Sequence, residues 1–142
     1  MVWNASLPSN TTTVLSTEAA LADGSISAAG AEVDNATDLE TVGYIEVLGT
    51  WTVAPNAVAP RLDIYLTVAA DGTNHSSPPI TGGTDQDHMR AISIPARSVT
   101  SEQRLFSAPF SVPPGKLRHY VDNQTGQSLN SNYVVKFHNV SN

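Results

Sequence analysis

The sequence predicts an all-β fold, a two-layer β-sandwich of jelly-roll type. Three observations carry this. Two stretches, Ile45–Val53 and Arg61–Val68, alternate apolar and polar residues with period two, the mark of strands that bury one face only. Turn signals such as Asp23-Gly24, Asp71-Gly72 and Pro113-Pro114-Gly115 recur at short intervals. No segment sustains a helical period; Glu18–Ala22 has helix propensity but is too short to stand alone.

The elements follow in order. Residues 1–14 (MVWNASLPSNTTTV) are polar, carry Pro8 and show no period, so they read as an N-terminal arm, with the sandwich domain spanning 15–142. Short strand candidates lie at Val14-Leu15 and Ser25–Ala28. In Ile45–Val53, the residues Ile45, Val47, Gly49, Trp51 and Val53 share one face, with Glu46, Leu48, Thr50 and Thr52 on the other. In Arg61–Val68, Leu62, Ile64, Leu66 and Val68 point inward, and Arg61, Asp63, Tyr65 and Thr67 outward. The connector Ala54–Pro60 holds two prolines and cannot continue a central strand. Thr73–Arg90 is a long irregular stretch rich in Ser, Pro, Gly and Asp. Loops of that length inside a compact domain tend to carry function, which makes this one the candidate partner-contacting loop.

Four further strands are predicted at Ala91–Ile94, Leu105–Val112, Leu117–Val121 and Asn132–Val140. In the second, Phe106, Ala108, Phe110 and Val112 fall on one face, and Pro109 marks an edge strand or a bulge. The total is about seven to eight strands, a sandwich or barrel count. The predicted core is Ile45, Val47, Trp51, Leu62, Ile64, Leu66, Val68, Phe106, Phe110, Leu117, Val135 and Phe137.

Length and composition bound the function. The chain of 142 residues fits one domain, which can bury roughly 70% of its unfolded surface without staples. It has no cysteine, hence no disulfide, thiol nucleophile or thiolate metal site. Asp and Glu outnumber Lys and Arg by 13 to 7, for a net charge of −6. Phosphate neutralisation and binding to an anionic bilayer both need clustered cations, so neither a nucleic-acid partner nor a membrane partner is expected. No apolar run approaches the ~20 residues that span a bilayer. Met1-Val2-Trp3-Asn4 lacks the basic and apolar regions of a secretory leader, so the expectation is cytosolic synthesis or a mature form with an added Met.

Chemistry-bearing motifs are sparse. No nucleophile elbow, phosphate loop or dinucleotide fingerprint is present, so no enzyme activity and no cofactor are expected. Asp85-Gln86-Asp87-His88 begins like a calcium loop, but Met89, Arg90 and Ala91 break the ligand spacing, and it reads as a solvated acidic loop. Asn-x-Ser/Thr occurs at Asn4, Asn10, Asn35, Asn74, Asn123 and Asn139, a pattern that would mark a secreted glycoprotein if used. Trp3 in the arm reads either as a ring tucked against the domain or disordered, or as an anchor in a partner's pocket, and Leu7 as a second apolar side chain that a partner could bury.

Leu21–Asn74 carries a resemblance. A small-residue stretch leads to Glu32-Val33-Asp34-Asn35, a long alternating strand follows, and then Asp63-Ile64-Tyr65-Leu66 precedes Asp71-Gly72-Thr73. In this series the chain resembles a family of small virion structural proteins of tailed bacteriophages. The resemblance implies a β-sandwich accessory protein of the virion, a capsid cement or decoration protein seated as a homotrimer on the major capsid protein. It brings no catalytic residues. The partner-binding residues expected on this reading are Trp3, Leu7, Tyr65, Asp85 and His88, with Tyr65 beside Arg61 and Asp63 on an outward strand face. The rival is a receptor- or carbohydrate-binding sandwich, which would need exposed aromatic platforms. The chain is only 6% aromatic, and its loops hold almost no aromatic residue.

Overall fold

The computed structural model describes residues 10–35, 41–79 and 91–140. They form β1 (Asn10–Leu15), β2 (Val33–Asp34), β3 (Val42–Gly49), β4 (Arg61–Ala69), β5 (Ala91–Pro95), β6 (Gln103–Phe106), β7 (Phe110–Ser111), β8 (Lys116–Gln124) and β9 (Val134–Val140). Among the described residues there is no helix, hence none long and apolar enough to cross a membrane.

The strands make two antiparallel sheets, one in the order β1-β9-β3-β6 with β7 also on β3, the other in the order β2-β8-β4-β5. β6 and β7 pair with successive parts of β3, Glu46–Gly49 and then Val42-Gly43, and so are two halves of one edge strand. Counted as one, they complete a simple scheme. β1 pairs with β9, β2 with β8, β3 with β6 and β7, and β4 with β5. That is one long hairpin folded at the β4–β5 connection. Rolling it up brings β9 onto β3 and β8 onto β4, which is the jelly roll.

Alternation sets the core between the sheets. Ile45 and Val47 of β3, Leu62 and Ile64 of β4, Leu117 and Val121 of β8, and Val135 and Phe137 of β9 are fully buried. Gly43 is on the inward face of β3 because any Cβ there would lie 2.8 Å from Val112 and 2.9 Å from Phe137. Trp51 is buried two residues past the end of β3, in an isolated bridge to Leu129. Its indole N–H donates to Thr125 Oγ1 (3.2 Å), and that hydroxyl bonds Asn123 Oδ1 (2.7 Å). Asn123 Nδ2 donates to Leu21 O and Gln127 O, both at 2.8 Å. This buried knot ties the 21–27 segment to the β8–β9 connection, as buried polar groups must be paired.

Four expectations are corrected. First, the arm does not reach residue 14: Asn10–Leu15 is a sheet strand on β9, and a bulge after Thr13 drives both Val14 and Leu15 into the core. Second, Leu105–Val112 is not one strand. Ser107 breaks it, donating its N–H to Ile45 O and accepting Ile45 N–H on its hydroxyl, both at 2.9 Å. This shifts the alternation by one, so Leu105 and Phe110 point inward while Phe106, expected in the core, is 50% exposed. Third, Val53 is exposed and lies outside β3. Fourth, β8 runs on to Gln124, into a stretch that reads as loop.

Candidate interaction surfaces

The outer face of the β1-β9-β3-β6 sheet carries a polar network under aromatic cover. Glu46 on β3 and His138 on β9 point outward yet are buried, and Glu46 Oε2 lies 2.8 Å from His138 Nε2. Thr11 Oγ1 on β1 lies 2.9 Å from His138 Nδ1, which fixes the ring from the other side. Tyr44 stacks on that imidazole at 4.7 Å and 15°. Phe106 on β6 stands next to Tyr44, centroids 6.2 Å apart and tilted by 54°. Three rings therefore cross β9, β3 and β6 in a row. Arg104 Nε comes within 3.4 Å of Glu46 Oε1, but that oxygen is buried without a hydrogen bond. A cavity of about 290 Å³ adjoins this face, lined by Leu48, Thr50, Glu102, Arg104, Asn132 and Val134 among others.

The outer face of the second sheet is closed by its own side chains. Asp63 is buried, bound by Arg61 Nε at 3.0 Å and by the Ser93 hydroxyl. Asp122 lies directly opposite Asp63 on β8, receives Gln124 Nε2 at 2.9 Å, and burial pushes its carboxyl above the usual range. Tyr65 has the expected outward direction but is only 7% exposed, so it is not an open platform. Thr67 is fully buried and contacts His75 at 3.4 Å.

The start of the long loop is fastened to this sheet. Asp71 closes a turn by accepting Asn74 and Thr73 N–H groups at 2.8 and 2.9 Å, which holds its carboxyl down at about 2. His75 Nε2 meets Glu32 Oε2 at 2.9 Å, and Lys116 Nζ meets Glu32 Oε1 at 3.2 Å. These two contacts, His75 first, hold the Glu32 carboxyl below its ordinary value. Ser76 pairs with Val68 through both its N–H and its hydroxyl.

A second cavity, of about 310 Å³, is lined by Leu66, Val68, Ser111, Val112 and Pro113. Leu66 and Val68 face inward as expected but are only partly buried there. The remaining unusual group is His119, fully buried on the inward face of β8, with neither ring nitrogen hydrogen-bonded and Phe137 5.1 Å away. Burial holds its pKa down at about 3, so it is a neutral core residue.

Of the expected site residues, Trp3, Leu7, Asp85 and His88 lie outside the described residues, and Tyr65 is placed but closed off. Among the described residues, no group of three or more His, Asp or Glu is arranged to hold a metal ion. Asn35, Asn123 and Asn139 are buried, with exposures of 0, 0 and 3%, and the first two spend their amides on Pro113 O and on Leu21 O and Gln127 O. In the folded protein these three sequons are closed to glycosylation. Sequence reasoning missed the Glu46–His138–Tyr44–Phe106 surface. Its signal was present in the opposite alternation of Gln103, Leu105 and Ser107, which puts Phe106 outward. Compared with known proteins, the chain matches no family model and no curated sequence.

Proposed function

We propose that this chain is a non-catalytic structural accessory protein of a tailed-phage particle, bound as a homotrimer to the outside of the head, where it cements the major capsid protein. The observation that carries the reading is how the residues of the phage-like pattern are used. Glu32 pins His75 and Lys116. Asn35 Nδ2 ties the β7–β8 turn through Pro113 O at 3.0 Å. Asp63 organises Arg61 and Ser93, and Asp71 closes the turn after β4. Each builds the scaffold, as expected of a pattern that encodes a binding fold rather than a reaction.

The architecture supports the same class, since jelly rolls recur in capsid and lectin domains; this is an analogy of fold and reaches no further than class. The apolar cavity at Leu66, Val68, Val112 and Pro113 offers a seat for an anchor side chain of the kind that dominates interfaces. Repetition over the capsid multiplies a modest single contact.

The test is to mix purified protein with heads lacking it. Saturable binding at one trimer per capsomer junction, with a higher head-rupture temperature, is the expected result. Absence of head binding, or a copy number of a few per particle, overturns the head assignment.

A further inference from the structure

We propose that the outer face of the β1-β9-β3-β6 sheet is a carbohydrate-binding platform for linear, neutral hexopyranose chains. The inference is independent of where the protein sits on a particle.

The argument starts from Phe106. It is 50% exposed on a strand whose other apolar side chain, Leu105, is buried. It is also supported from beside rather than standing alone. Tyr44 lies against it at 6.2 Å, and Tyr44 is in turn backed by His138, held by Thr11 on one nitrogen and Glu46 on the other. Rings locked in this way lose little freedom on binding. An aromatic face is electron-rich and attracts the weakly positive C–H groups on one side of a sugar ring, while also burying apolar area.

The second observation is polar. Glu46 is 5% exposed, and its Oε1 has no hydrogen-bond donor, a costly state for a buried carboxylate oxygen. It lies directly across from Phe106 in register. Arg104, with its side chain 62% exposed, is at 3.4 Å and can swing aside. A ligand hydroxyl supplies the missing donor to Glu46, and the guanidinium gives donors to the ligand's oxygens. An aromatic surface with a few convergent polar groups is the ordinary make-up of a small-molecule site.

Charge and shape narrow the ligand. Lys136 and Arg104 are offset on this face by Glu46 and, at the adjoining cavity, Glu102. That balance favours a neutral chain over a uronate or sulfated one. The rings lie on a sheet face rather than in a walled pocket, so the middle of a chain fits and a chain end has nothing to enclose it. The rival expectation that sugar binding needs loop aromatics is answered here by strand aromatics.

The experiment titrates maltohexaose, cellohexaose, mannohexaose and chitohexaose into the labelled full chain and follows amide shifts. At least one should bind, with shifts concentrated on β3, β6 and β9. F106A should weaken that binding by about ten-fold or more, and E46Q and R104A by less, with an unchanged melting temperature for F106A because the ring is half exposed. Tyr120→Ala, on the other sheet, should leave affinity unaltered. The proposal fails if none of the four binds, if an alginate or heparin oligosaccharide binds better, or if binding survives F106A. It also fails if F106A lowers occupancy on heads while no sugar binds, which makes this face a protein interface.

Discussion

At the scale of single residues, His119 shows how a core position couples stability to pH. Its ring is enclosed by the sandwich with no partner for either nitrogen, and burial lowers its pKa from 6.5 to about 3. Between these values the unfolded chain binds a proton that the folded chain refuses. Stability from this group is therefore complete above the unfolded value and is lost as pH falls from about 6.5 towards about 3, by roughly 4–5 kcal/mol if fully expressed. Asp122 acts in the opposite sense, since its raised carboxyl pKa gives back stability on acidification. Chemical denaturation of the wild type and His119→Leu at pH 7.5, 5.5 and 4.5 separates the two. The gap between the proteins should shift in favour of the leucine variant as pH drops, and a constant gap would mean the ring is solvated. Asn123 offers a second residue-level check. Asn123→Ala removes the amide's bonds to Leu21 O and Gln127 O, which keep the Leu129 N–H and the Thr125 hydroxyl, and strands the buried Thr125 N–H that Asn123 Oδ1 accepts; a stranded buried donor costs about 1–3 kcal/mol. Equilibrium unfolding should show a loss of at least ~2 kcal/mol.

At the scale of elements, the informative strand is the one Ser107 divides. Its hydroxyl takes the place of a backbone carbonyl opposite Ile45 N–H, so Ser107→Ala strands a buried donor and should cost about 1–3 kcal/mol in denaturant unfolding. β1 gives another test. Removing residues 1–13 deletes Asn10–Thr13 from the edge of the first sheet and uncovers one side of β9. The truncated protein should unfold at clearly lower denaturant than the full chain; an unchanged midpoint would show β1 to be dispensable. These two strands also mark the limit of sequence reading. β3, β4 and β9 were legible because the face each turns to the core is apolar while the other face is mostly polar, whether covered or not, which writes alternation into the sequence. Ile64 and Phe137 could be named as core from that alone. β1 was not legible, because three consecutive threonines carry no alternation and the pairing with β9 spans almost the whole chain. Phe106 was misplaced because a one-residue slip at a bulge inverts every side chain beyond it. The buried Glu46–His138 pair was hidden for a related reason: alternation gives direction, not cover.

At the scale of the whole molecule, the trimer proposed for the assembled particle predicts sedimentation above the monomer at micromolar concentration, or on heads if not in free solution. Monomers in both settings would remove it. The roll itself has a further consequence, for how the chain comes off the ribosome. Among the described strands, the one hairpin between sequence neighbours in the second sheet is β4 with β5, whereas β3 gains β6 and β7 on one side before β9 on the other, and β1 pairs with β9 alone. β9 is also the last of the described strands in chain order. Until it emerges, the first sheet lacks its second strand, and β1 and β3 expose ladder groups ready to pair with a neighbouring nascent chain. Assembly of that sheet is thus deferred until β9 has emerged, and refolding should run on the millisecond-to-second scale of non-local β topologies. Translation from clustered ribosomes is where this sequence is most exposed to misassembly, and the uncharged Asn10–Thr13 edge is the segment through which it would occur.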